Sequence, residues 1–167
     1  DAQVEIKEFS ETGIWRVHSI NFQDKIGNWG SVGRSDFLDL GFDLDFEVTG
    51  TDSDSEAPVV HSLELSDNVI DISQGTGYLY LDGSVSDDLS GVNYVQVQWI
   101  SPSGNNHTYG YFGDSQLSSK DGNLNFYEDA QVEIKEFSET GIWRVHSINF
   151  QDKIGNWGSV GRSDFLD

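Results

Sequence analysis

Apolar and polar residues alternate along this chain in short runs, and no stretch sustains the 3.6-residue period of a helix. The runs are broken by Gly, Ser, Asn and Asp, the residues that turn a chain. Strands are predicted at Val59–Leu65, with a short continuation at Val69–Ile72, and then at Tyr78–Val85, Tyr94–Ile100 and His107–Phe112. One or two more fall within Leu124–Phe137, anchored by Leu124, Phe126, Val132, Ile134 and Phe137, and another is Ile142–Phe150. In that last run the phase slips between Val145 and Ile148, which predicts a β-bulge near His146–Ser147. The clearest alternation is Leu38, Leu40, Phe42, Leu44, Phe46 and Val48 against Asp39, Gly41, Asp43, Asp45 and Glu47, read as a strand with acid on its outer face.

Residues Asp1–Asp39 recur letter for letter as Asp129–Asp167, an offset of 128 residues. A fold constrains buried positions far more than solvent positions, so identity at both points to tandem repetition. With no methionine, the chain reads as a stretch of a longer array. Short strands with short turns predict an all-β protein. Trp99 within the run Val95, Val97, Trp99 matches the central tryptophan of an immunoglobulin-like Greek-key β-sandwich. The expected division is 1–50 as the C-terminal part of one repeat, 51–56 as a polar linker, and 57–167 as most of the next repeat without its last strand. Trp99 and Trp143 should be buried. The apolar side of Leu40–Phe46 should lie bare or be covered by another molecule, because the short linker cannot carry that strand back to the opposite pole of its own chain.

Charge narrows the possible partners. The net charge is −20, from 29 acidic and 9 basic residues, which argues against nucleic acid and anionic membranes. Cysteine is absent, so disulfides and thiolate metal sites are excluded. No apolar run is long enough to span a bilayer and no signal peptide is visible. The four histidines lack the spacing of a zinc site, and neither a nucleophile elbow nor a phosphate loop occurs, so neither enzyme chemistry nor a small-molecule substrate is expected. The Asn106–Thr108 sequon is a short pattern that arises easily by chance.

Three acidic segments remain: Asp52 and Asp54 in the linker, Asp87 and Asp88 in one loop, and Asp152 with Asn156 in another. In a sandwich of this type those loops and the start of the first strand share one end. Carboxylates gathered there need a counterion, and oxygen donors without soft ligands suit Ca²⁺. Each loop taken alone is also ordinary Asx-turn chemistry, so convergence carries the case for calcium. Asp24 and Asn28 occupy the positions of Asp152 and Asn156 in the first copy and complete the candidate set.

The runs VSDDLSGV, WISPSG, GIWRVHSINFQDKIGN and LGFDLDFEVTG, with the boundary DSEAP, together resemble the immunoglobulin-like extender repeats of giant bacterial RTX-type surface adhesins. That resemblance implies an extracellular, cell-surface spacer that holds calcium at its domain junctions and has identical repeats as neighbours. It assigns Asp54, Asp87, Asp88, Asp152 and Asn156 as ligands; Asp52 and Glu56 depart from the family's usual single linker aspartate. The alternative is a carbohydrate- or ligand-binding module using Tyr109, Tyr111, Phe112 and Trp157 as a stacking face.

Overall fold

The computed structural model describes residues 3–50, 52–113, 123–124 and 131–164. The chain forms two compact units, one of Ser10–Ser53 and one in which Asp1–Phe9 joins Asp54–Asp167. Both are built from antiparallel strands.

The smaller unit contains β1 (Gly13–Trp15), β2 (Ser19–Gln23), β3 (Trp29–Gly33), helix α1 (Arg34–Asp39) and β4 (Phe46–Val48). Its strands pair as β1–β4 and β2–β3. The continuous strand expected over Leu38–Val48 is therefore corrected: its first residues close a helix and only Phe46–Val48 is extended. The helix ends in a Schellman arrangement. Gly41, at φ 80°, donates its amide to the Leu38 carbonyl at 2.9 Å, and the Phe42 amide reaches the Phe37 carbonyl at 3.0 Å. Arg34 then grips Asp45 with two bonds of 2.7 Å, so the acid-rich segment returns along the helix instead of extending. Leu40, Phe42, Leu44 and Phe46 are all exposed, the bare state that was one of the two expected outcomes.

The larger unit is an all-β sandwich. Its strands are β5 (Val59–Leu65), β6 (Gly77–Ser86), β7 (Val92–Ile100), β8 (His107–Gly113), β9 (Asn123–Leu124), β10 (Gln131–Ile134), β11 (Arg144–Asp152) and β12 (Trp157–Gly161). One sheet runs β10–β6–β5, with β9 also on β6, and the other runs β12–β11–β7–β8. Alternation on β7 places Val95, Val97 and Trp99 inward, where they meet Leu81 and Val85 of β6, Val132 of β10 and Phe150 of β11. The expected bulge is present, as a register shift between Val145 and Ser147 against β7.

Other expectations need amending. No strand forms at Val69–Ile72, and Phe137, one of the expected anchors, is exposed. Phe126 lies outside the described residues. Trp99 is buried but Trp143 only partly so. The sheet edge beside β11 is filled by β12, a strand the alternation did not reveal because its centre is Gly-Ser. Gly158 is required there by contact: a Cβ would come within 2.2 Å of the buried Phe150 ring. Gly158→Ala is expected to cost about 1–3 kcal/mol by overpacking. Gly30→Ala meets Phe22 at the same place, but that ring is exposed and can swing aside, so its cost is smaller. Urea melts of the two variants compare them directly.

Candidate metal centre

Three carboxylates from distant parts of the sequence meet at one end of the sandwich. Asp54, Asp87 and Asp152 each offer an oxygen within 4.8 Å of the other two. Asp54 and Asp152 are buried and Asp87 is partly so. Asp54 lies just before β5, Asp87 follows β6, and Asp152 ends β11, so the hydrogen-bonded sheets bring their termini together.

Within each loop the two oxygens divide their work. Asp87 Oδ1 accepts the amides of Leu89 (3.3 Å) and Gly91 (2.6 Å), closing the turn, while Gly91 supplies a φ of 86°. Asp152 Oδ1 accepts the amides of Ile154, Gly155 and Asn156 at 3.0, 2.6 and 2.8 Å, with Gly155 at φ 116°. The other oxygens are left for the centre. Asp152 Oδ2 takes the Asn156 side-chain amide at 2.7 Å, and that amide also lies 3.3 Å from Asp54 Oδ1. Asp87 Oδ2 has no hydrogen-bond partner, nor does the nearby Ser90 hydroxyl, although both atoms are buried. Asp54 is tied in by the Ser90 amide at 2.9 Å and the Glu56 amide at 3.1 Å. The loops are joined by the Lys153 amide, which donates to the Gly91 carbonyl at 3.0 Å.

The electrostatics follow from this arrangement. Burial pushes the Asp87 carboxyl above its usual value, and the charges of Asp54 and Asp152 push the same way against its turn hydrogen bonds. Burial also works against ionised Asp54, but hydrogen bonds from Ser90, Glu56 and Asn156 outweigh it and hold that carboxyl below its usual value. A cation here would relieve the repulsion and engage the orphaned Asp87 oxygen. The donors are hard oxygens throughout, which suits Ca²⁺ better than a transition metal. The Asn156 amide can present its oxygen by turning over.

The remaining candidates are not among the three clustered carboxylates. Asp88 is exposed beside Asp87, and Asp52 belongs to the smaller unit. Asp24 and Asn28 also lie in the smaller unit, where they build the Asp152 turn again: Asp24 Oδ1 accepts the amides of Ile26 and Asn28, each at 2.9 Å, and the Asn28 side chain reaches Oδ2 at 2.8 Å. There the turn is exposed, and among the described residues no further carboxylates join it. Sequence reasoning missed Ser90, whose amide donates to Asp54.

The aromatic set divides. Phe112 is core, whereas Tyr109, Tyr111 and Trp157 are more than half exposed. Tyr111 stacks on Tyr94 at 5.1 Å, and the Gln98 amide bonds the Tyr109 hydroxyl at 3.0 Å. Comparison of the chain with family models, curated proteins and solved structures finds no match in any of the three.

Proposed function

We propose that this chain is a calcium-rigidified spacer from a repetitive bacterial cell-surface adhesin, and that it works by setting length and stiffness between neighbouring identical repeats. The observation that carries this reading is the meeting of Asp54, Asp87 and Asp152 around a buried carboxylate oxygen with no partner. Bound Ca²⁺ would supply charge neutralisation and a crosslink. Asp54 ties the linker into that crosslink, Asp87 and Asp152 tie in the two loops, and Asn156 completes the oxygen set. Exact duplication supports a spacer, because a spacer needs number rather than variety.

Titration calorimetry of the 167-residue chain with Ca²⁺, paired with melting in EDTA, tests the proposal. At a free concentration of 100 times Kd, linkage adds about 2.7 kcal/mol, so chelation should lower the melting temperature by several degrees. Absence of binding at millimolar Ca²⁺, with melting indifferent to EDTA, would sink the reading.

A second reading, a carbohydrate-binding module, is favoured by the exposed Tyr109, Tyr111 and Trp157 on the β12–β11–β7–β8 sheet. Pyranose rings stack on such side chains while neighbouring amides meet the hydroxyls. Retardation on polysaccharide gels that Tyr111→Ala abolishes would support it over the spacer.

A further inference from the structure

Among the described residues, the first copy of the repeat makes a contact with the metal pole, the end of the larger unit where Asp54, Asp87 and Asp152 meet, that the second copy does not make. Asp1–Phe9 belongs to the larger unit. The Phe9 carbonyl accepts the Asp54 amide at 2.9 Å, and the Lys7 ammonium donates to the Lys153 carbonyl. Asp54 is one of the three clustered carboxylates, and Lys153 directly follows another. Phe9 sits at φ 67°, and its counterpart Phe137 has the same value; they are the only non-glycine residues with positive φ among those described. A bulky side chain is rarely held in that region without compensation. The two turns are identical in sequence over Lys7–Phe9 and Lys135–Phe137, yet Phe9 is partly buried and Phe137 is 90% exposed.

We propose that the Lys7–Phe9 turn is a latch that fastens the N-terminal segment onto the metal pole of the larger unit. It recognises that pole through the Asp54 amide and the Lys153 carbonyl. The latch is a positioning element. It fixes the backbone of Asp54, whose carboxylate belongs to the cluster, so latching and cation binding favour each other. This coupling rests on the calcium reading, whereas the latching does not.

The duplicated turn provides the control within one molecule. Lys7→Ala and Phe9→Val are compared with Lys135→Ala and Phe137→Val in the full chain, since a β-branched residue resists positive φ in either turn. Two quantities are read: hydrogen exchange at the Asp54 amide without metal, and Ca²⁺ affinity by calorimetry. A lost hydrogen bond of typical strength corresponds to roughly a fivefold change. The first-copy variants are expected to speed exchange and weaken calcium by about that factor. Lys7→Arg should restore both, and the second-copy variants should leave both unchanged. Equal effects from the two copies, or none from the first, would overturn the latch. If the parent chain binds no calcium yet Phe9→Val still frees the Asp54 amide, the calcium reading fails and the latch stands.

Discussion

Asp152→Asn is expected to separate the two jobs of the metal pole. Asparagine keeps the oxygen that accepts the Ile154, Gly155 and Asn156 amides, so the turn survives. It removes one of three neighbouring negative charges. Without calcium the variant should therefore melt no lower than the parent, because repulsion falls. With calcium it should gain almost nothing, losing the roughly 2–3 kcal/mol that linkage adds at saturating ion. Asp152→Ala removes both jobs and should be damaging in either buffer, at about 3–4 kcal/mol, since three amides lose a charged acceptor at a buried position. Asp24→Ala deletes the same bonds from an exposed loop and should change neither calcium binding nor the stability of the larger unit. A calcium response that survives Asp152→Asn would remove Asp152 from the site.

Protons should compete at the same place. The folded chain holds the Asp87 carboxyl above its unfolded value, so its neutral form is favoured by the fold. In the metal-free chain this group adds stability as pH falls through that raised value, fully so below the unfolded one. Asp54 behaves oppositely: its folded value is lowered, and its contribution, present above the unfolded value, is lost as pH falls through the lowered one. Calcium needs both ionised. Affinity should weaken on mild acidification, as Asp87 takes a proton, before Asp54 costs the metal-free fold anything. Calorimetry across that range reads the order.

The repeated segment shows which parts of the fold are written locally. The β2–β3 and β11–β12 hairpins have the same register, Phe22 facing Gly30 as Phe150 faces Gly158, and the same Asx turn between the strands. That much is legible from the letters alone. Gln3–Ile6 is not a strand, whereas the identical Gln131–Ile134 is, because only the latter has β6 beside it. Val4 is exposed and Val132 is buried for the same reason. Alternation reports which face of a strand would be buried, not whether a partner exists to bury it. That is why Leu38–Val48 misled: its pattern is ideal for a strand, yet the Leu40–Gly41 pair carried a helix-stop signal that outweighed it. The meeting of Asp54, Asp87 and Asp152 was legible as three acidic loops, since strand order decides which loops share an end. What the pattern could not show was which acids turn inward. Asp87 and Asp88 are adjacent, and only the turn closed on Gly91 distinguishes them.

Trp99→Ala is expected to be the most destabilising single core change. Trp99 is buried at 6% exposure in the middle of the sheet, paired across to Val145 on β11 and Thr108 on β8. Its ring contributes to the layer where β6 and β10 meet β7, beside Val132 and Ile134. Truncation removes the largest side chain of that core and leaves a void that flanking strands, tied by their own ladders, cannot close. A cost of about 3–5 kcal/mol follows, a large share of the marginal stability of a domain this size. Tyr111→Ala on the outer face loses one stack with Tyr94 and should cost well under half as much. Because the void lies away from Asp54, Asp87 and Asp152, the calcium-induced gain in stability should persist in Trp99→Ala while its baseline falls. Urea titrations with and without Ca²⁺ give both quantities. Loss of the increment along with the baseline would mean that the core and the metal pole are one cooperative structure, and that the ion supports the whole sandwich as well as its junction.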